Sequence, residues 1–556
     1  MATVFTTLCF RLGHLPLLAP DEGRNAEIGR EMKRSGTWLV PTYDGIDYLD
    51  KPALYFEAVS VSLAIFGNNE TAARLPSAVS GIALIGIVVA FCRKVYGIRC
   101  GLLAAIIVAT TPLFLINART VIFDITLAFF VSGAIFAGYL AESAEGNSRR
   151  NWYLAGAASA GLATLVKGPV GFLVPALVLL IFNRVEGRAG AWKRLFAPRN
   201  LLVFFGVTLP WFVGLCLVHP DFLHYGLVEE SFHRFTSAKA FHRSEPFYFY
   251  LLIVAGMFFP WSLLLPQAAL ARWKERWAMN SADRLCVVWS VVVVVFFSLS
   301  QSKLAGYILS VAVACSILVA RIFERAMEVP ESAPARVVNR ATVGFVLACL
   351  ATAAVGLVGA SQLGRMAGTF GIPVDAAMRL GKGVLPLAGL LLAFGVLGIV
   401  ARYRRDPSHC FLCLALLPPL ALIAGLGMLE VIFEAKSGRR VAEQLAALPL
   451  ETELACLQCF PNGVPFYLGR TATLISRDGR ELTSNYIINC LEKNPRPPKQ
   501  IVRLADFGNW LASRKTPVFL IASQRDREKL KAIAGARNAV VQTLSPAYIG
   551  AYLPGP

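Results

Sequence analysis

The 556-residue chain is 56% apolar and only 16% charged, against about 25% charged residues in an average soluble protein. With a mean hydropathy of +0.57 it has too little polar surface to cover several soluble cores, and 36 Phe with 9 Trp exclude a disordered chain. A formal charge of +19 raises a nucleic-acid reading that only the placement of the charges decides.

A bilayer core requires roughly 17–25 apolar residues per helix. In chain order such windows fall at about 1–20, 76–92, 101–117, 121–140, 152–166, 168–182, 201–218, 247–266, 285–300, 307–320, 341–360, 384–401 and 411–429, which predicts about 13 spans. The first is interrupted by Arg11 and His14 and is read as a retained helix shortened at its start. Residues 53–66 carry Glu57 and are too short to span, so they are read as interfacial or re-entrant.

Loops 92–100, 141–151, 183–200, 267–284, 321–340 and 402–410 together hold 21 basic and 9 acidic residues. Basic residues mark cytoplasmic loops, which places the N-terminus inside. The alternate loops are balanced; residues 21–52 carry five basic and seven acidic groups. Most of the positive charge is therefore an orientation signal. No basic stripe for nucleic acid is left over.

From about residue 430 the pattern changes. LACLQCF, TATLISRD and PVFLIASQ read as strands, and SGRRVAEQLAAL and DREKLKAIAG as helices. The expected organisation is a membrane domain over 1–429, with outer loops 21–75 and 219–246, followed by an exported α/β domain over 430–556. Cys456, Cys459 and Cys490 lie in that last segment, where CLQC is open to a disulfide or to a plain buried role. A zinc site there lacks a fourth ligand.

Ionisable residues at the edge of a membrane span are costly, so they are candidates for function. Asp21, Glu22, Arg24, Asp50, Lys51, Arg119, Asp124, Lys167, the cluster from His219 to Arg243, and Lys303 all fall at outward ends of the predicted helices. An N-cap explains one carboxylate of DEGRNAEIGREM but not Arg24. Asp124 stands one turn into a span and requires a cationic partner, and Lys167 tips a Gly-Pro turn in ATLVKGPVGFLVP. The loop VEESFHRFTSAKAFHRSEPFYFYL brings Glu229, Glu230, His233, Arg234, Lys239, His242 and Arg243, and SQSKLAGYILS adds Lys303 and Tyr307. Carboxylate with imidazole suits a divalent metal, and Arg with Lys suits a phosphate. Cations beside carboxylates at an outer interface suit glycosyl transfer from a lipid-borne phosphate. No nucleotide-binding fingerprint is present.

PDEGRNAEIGREM, YLDKP, NNETAARLPSA, the Arg119–Asp124 stretch, LVKGPVG, EESFHRF with RSEPFYFY, SKLAGYIL and PFYLGR follow one another in an order that resembles the bacterial aminoarabinose (4-amino-4-deoxy-L-arabinose) lipid A transferases. These belong to the GT-C glycosyltransferases, together with the protein O-mannosyltransferases. The resemblance implies a polytopic α-helical GT-C membrane domain with a small periplasmic α/β domain, in the bacterial inner membrane. It implies inverting transfer of a sugar from undecaprenyl phosphate to lipid A or another lipid-linked acceptor on the periplasmic face, by a monomer. Asp21 and Asp124 match the family's catalytic aspartates. Glu22, Arg24, Lys51, Arg119, Lys167, Arg234, Arg243, Lys303 and Tyr307 fall to donor or substrate binding. Asp50 and His233 fall to a divalent metal, Zn or Mg. The family's histidine, however, directly follows the glutamate of its EH-x-x-RF pattern, where this chain has Ser231. The competing readings are a relative that moves a hexose, hexuronic acid or mannose, and a transporter of lipid-linked sugars. A transporter is expected to show inverted repeats and midplane polar groups, which the sequence lacks.

Overall fold

The structure, a computed structural model, describes residues 7–226, 229–230, 245–275, 279–366, 374–493 and 497–555. The chain divides into two compact units. One comprises Met1–Phe10, Ser77–Gly214 and Ser231–Met428; the other comprises Arg11–Pro76, Leu215–Glu230 and Leu429–Pro556.

The first unit is helical. Among the described residues, eight helices of the chain are long and apolar enough to cross a membrane, or ten if each of two bent pairs forms one span. They bury different shares of themselves. Only 11% of the apolar window of Pro198–Val218 is covered by protein, against 83% for Asp124–Glu142. A helix that is apolar all round and uncovered faces lipid, whereas one that is covered all round is central. Asp124–Glu142 is thus the axis on which the unit is packed.

The expected thirteen spans are reduced at three places. Residues 7–9 are helical, but the chain then turns, with Arg11 at φ 50°; the polar and ring residues of RLGHLP leave no continuous span in the described part of 1–20. The helix Gly146–Lys167 is long enough, but Asn147, Arg149, Arg150 and Asn151 crowd its first two turns. The helix Val170–Val185 has only 16 residues. Between these two helices Gly168 takes φ +75°, a left-handed turn that only glycine enters freely. The bends have local causes as well. Pro112 opens a new helix after the extended Thr111, and the chain turns by 70° there.

The second unit is built on a six-stranded sheet. Two short strands, β1 (Thr42–Tyr43) and β2 (Ile46–Asp47), form a separate hairpin. The sheet itself comprises β3 (Glu453–Leu457), β4 (Thr473–Ser476), β5 (Ile501–Arg503), β6 (Val518–Ser523), β7 (Val541–Thr543) and β8 (Tyr548–Leu553), in the order β5-β4-β3-β6-β8-β7. The strands β5, β4, β3 and β6 are parallel, while β8 runs antiparallel to β6 and β7. Central parallel strands are covered on both faces and read as unbroken apolar runs. Accordingly Val518, Phe519, Leu520, Ile521 and Ala522 are all buried, each large side chain contributing about 1.5–3 kcal/mol. The three strands expected from sequence are β3, β4 and β6, and the two expected helices are Arg439–Leu445 and Arg527–Gly535.

This unit also takes in the outer loop 11–76 and residues 215–230, so it is wider than the segment after residue 429. All twelve cysteines are free, so CLQC forms no disulfide; Cys456 and Cys459 are buried instead. The hairpin shows how the loop is held. Asp44 at φ 55° and Gly45 at φ +71° make its two-residue turn. The fully buried Asp44 carboxylate accepts the Ala472 N–H at 2.9 Å, and its second oxygen has no partner among the described residues.

Burial pushes the Asp44 carboxyl well above the ordinary carboxylate range; the Ala472 N–H and Arg30 oppose the shift, and Glu31 and Glu27 add to it. A carboxyl raised in this way stabilises the fold below its unfolded pKa of about 4, and that stability is lost as pH rises through the folded value. The thermal midpoint of the wild-type protein should therefore fall, relative to Asp44→Asn, as pH is raised from about 4. Parallel curves would contradict this account.

Candidate active site

Within the second unit, the helix Asp21–Ser35 opens with two carboxylates that meet different fates. Glu22 is 1% exposed. Its oxygens accept Arg74 Nε at 2.8 Å and Arg74 Nη2 at 2.9 Å, with the Leu18 N–H at 2.9 Å. Arg74 also donates to the carbonyls of Leu12, Leu15 and Pro16. This bidentate pair is a structural tie between the helix and the segment around Arg74. Arg74, within NNETAARLPSA, is the partner that sequence reasoning missed.

Asp21, by contrast, is half exposed, and one of its oxygens accepts Arg24 Nη2 at 2.6 Å. Arg24 is buried and donates from Nη1 to the Thr483 carbonyl at 2.9 Å and to its hydroxyl at 2.7 Å. Thr483 holds φ 56°, a conformation uncommon outside glycine, which is found where surroundings enforce it. Burial works against the Arg24 charge, but Tyr48, Asp21 and Asp50 outweigh it and keep the guanidinium protonated.

Lys51 binds Glu230 and donates to the Asp50 carbonyl at 2.6 Å. The other Glu230 oxygen accepts Asn485 Nδ2 at 3.1 Å. The Asp50 carboxylate is turned away from Lys51. Its Oδ1 accepts the Tyr225 hydroxyl at 2.6 Å and the Tyr486 N–H at 2.8 Å, and its Oδ2 accepts the Asn485 N–H at 3.0 Å. Asp50 therefore satisfies the first N–H groups of the helix Asn485–Lys493. These donors take three of the roughly four lone-pair positions of the Asp50 carboxylate, so a divalent ion would share it with three hydrogen bonds of the fold. Among the described residues no group of three or more His, Cys, Asp or Glu is placed to hold one. His233, Arg234 and Arg243 lie outside the described residues.

Within the first unit, Asp124 stands at the N-terminal end of the central helix, where the helix dipole favours negative charge. Lys167 donates to its Oδ1, and both side chains are about one-tenth exposed. The same ammonium lies 4.3 Å from the Tyr307 ring centroid and 5.1 Å from that of Phe123. Gly306 approaches so closely that a Cβ there would lie 2.7 Å from Asp124 Oδ2. Asp124, Gly306 and Tyr307 line a cleft of about 10 Å³, room for one water molecule. Lys303 is buried and donates to the Ser300 carbonyl at 2.6 Å. Arg119 donates to the carbonyls of Thr7, Leu8 and Phe10 at 2.7, 2.9 and 2.8 Å. These contacts close the C-terminal end of the helical residues 7–9.

Comparison with known proteins puts these features in context. The model of a family described as dolichyl-phosphate-mannose-protein mannosyltransferase matches residues 50–213. Over 311 residues the chain is 32% identical to undecaprenyl phosphate-α-4-amino-4-deoxy-L-arabinose arabinosyl transferase 1 of Sodalis glossinidius, so that alignment spans about half of each protein, 55% and 54%. The second transferase of that organism is 32% identical over 510 residues, covering 90% of this chain and 87% of the relative. The chain belongs to the undecaprenyl phosphate-aminoarabinose arabinosyl transferase family. It is a multi-pass membrane protein with the family's GT-C fold. The crystal structure of ArnT from Cupriavidus metallidurans bound to undecaprenyl phosphate superposes with a TM-score of 0.85 at 26% identity, covering 100% of this chain and 98% of that one.

For this member of the transferase family, the Asp50 contacts lead to a direct expectation. Asp50→Ala should cost about 2–4 kcal/mol by leaving two N–H groups and a hydroxyl without their acceptor. The thermal midpoint should drop by the same amount with added zinc and with chelator. A midpoint of the wild-type protein that falls on chelation and returns with a divalent ion would overturn the capping role.

Proposed function

We propose that the protein transfers 4-amino-4-deoxy-L-arabinose from undecaprenyl phosphate to lipid A, or a related envelope glycolipid, on the periplasmic face of the inner membrane. The observation that carries this reading is the alignment with an aminoarabinose transferase over 90% of the chain. The distribution of basic loops supports the orientation, with Asp21, Asp50 and Asp124 on the side away from them.

In the proposed reaction the acceptor oxygen attacks the anomeric carbon of the donor sugar. The bond from that carbon to the phosphate oxygen breaks, its electron pair leaves with undecaprenyl phosphate, and configuration inverts. Charge grows on the departing phosphate, so cations fixed before the reaction lower the barrier. Lys51, Arg24, Lys167 and Lys303 are proposed for that role, with Arg234 and Arg243 from outside the described residues. Tyr307 is proposed to position the Lys167 ammonium beneath its ring. Asp21, whose second oxygen accepts no hydrogen bond among the described residues, either orients the donor through its amino group or takes the proton of a hydroxyl acceptor. A lipid A phosphate is already a nucleophile and requires no base. Asp124 steadies positive charge at the sugar ring and holds Lys167.

Mass spectrometry of lipid A from a host that lacks its own transferase tests this reading. Expression of the wild-type chain should add the mass of one aminoarabinose residue. Lys51→Met and Asp124→Asn should each lower transfer by about 10²–10³-fold at unchanged protein level. Unmodified lipid A in the presence of the lipid donor would contradict the proposal.

A further inference from the structure

Away from both charged clusters, the first unit contains a cavity of about 290 Å³. Its walls include Gly138, Gly156, Ala157 and Ala160, small residues that leave a channel between helices, closed by Phe172. Leu201 and Phe205 at its edge remain exposed. A helix surface of this kind faces hydrocarbon in a bilayer, and the space has the size to admit part of an acyl chain.

One end of the cavity is polar. Tyr153, in its wall, donates to Glu142, which Arg194 holds through Nε at 3.1 Å and Nη2 at 2.7 Å. Asn200, also in the wall and 2% exposed, donates to the carbonyls of Arg194 and Leu195. Its Oδ1 is buried without a partner among the described residues. Next to these residues Lys193 and Arg199 are exposed and form no ion pair among the described residues. The exposed Trp192 beside them carries the Lys193 ammonium at 5.6 Å from its ring, a side-chain type favoured at membrane interfaces.

We propose that this is a binding site for an anionic glycerophospholipid. One acyl chain lies in the cavity, and Lys193 and Arg199 face the phosphate. The donor lipid is a different occupant with a different place. Tyr153 and Lys167 are 14 positions apart on one helix, about 21 Å along its axis, so the polar end of this cavity and the Lys167 ammonium belong to opposite ends of that helix. The basic loop 183–200, with five Lys and Arg against Glu186, supplies the charge that selects an anionic headgroup over a zwitterionic one.

Native mass spectrometry of the purified full-length protein in neutral detergent, titrated with phosphatidylglycerol or phosphatidylcholine of equal chain length, tests the site. The wild-type protein should prefer phosphatidylglycerol by about tenfold or more. The double variant Lys193→Gln/Arg199→Gln, changed only at exposed positions, should bind both lipids equally. Ala157→Phe, which fills the cavity, should lose both; if it does not fold, the double variant decides alone. Equal binding of the two lipids by the wild type, a preference that survives the double substitution, undiminished binding by folded Ala157→Phe, or displacement of phosphatidylglycerol by undecaprenyl phosphate would each overturn the proposal.

Discussion

A charge at the edge of a bilayer cannot stand alone, and the arrangement of this protein follows from how each one is answered. Uncompensated burial costs several kcal/mol per ion, and removing one member of a buried pair typically costs about 3–5 kcal/mol. Asp124 and Lys167 meet that demand together, at the end of the most enclosed helix of the membrane unit. Their pairing brings three segments to one place: the start of Asp124–Glu142, the Gly168 turn, and the Gly306–Tyr307 backbone that presses on the carboxylate. Held this way, the ammonium is available beneath an aromatic ring rather than spread into solvent.

The same accounting separates residues that look alike in sequence. Asp21 and Glu22 are neighbours, yet Glu22 is held through both oxygens by Arg74 while the second oxygen of Asp21 accepts no hydrogen bond among the described residues. Asp50 and Lys51 are neighbours as well. The carboxylate of Asp50 is spent on the helix Asn485–Lys493 and on Tyr225, whereas Lys51 meets Glu230. A group whose hydrogen-bonding capacity is fully used by its own fold is positioned for stability. One with open capacity, held firmly by a partner, is positioned for a ligand.

Much of this architecture was legible in the sequence because hydrophobic windows and loop charges are local signals. The windows at 76–92, 201–218 and 341–360 each lie on one long helix. Windows at 101–117 and 247–266 contain bends of 70° and 116°, since a hydropathy window does not register direction. Strands β3, β4 and β6 showed as apolar runs, whereas β5 and β7 have three residues each, with exposed positions, and leave no pattern. The charges of Asp21, Arg24, Lys51, Asp124 and Lys167 were visible as polar groups at the ends of apolar windows. Their partners were not visible. Lys51 and Glu230 are 179 positions apart, and Asp50 and Asn485 are 435 apart; no local pattern encodes such pairings. The same holds for Glu22 with Arg74, 52 positions away, and for Arg119 with the carbonyl of Thr7, 112 positions away.

The central claim, that structural and chemical charges are separated even between adjacent residues, is tested most directly by measuring thermal midpoint and transfer rate together for Asp21→Asn and Glu22→Gln. The account predicts that Asp21→Asn keeps the wild-type midpoint and loses transfer. Glu22→Gln should lower the midpoint by roughly 5 °C or more while each folded molecule still transfers. An inactive but fully stable Glu22→Gln, or an Asp21→Asn protein that unfolds early and keeps its rate, would contradict it.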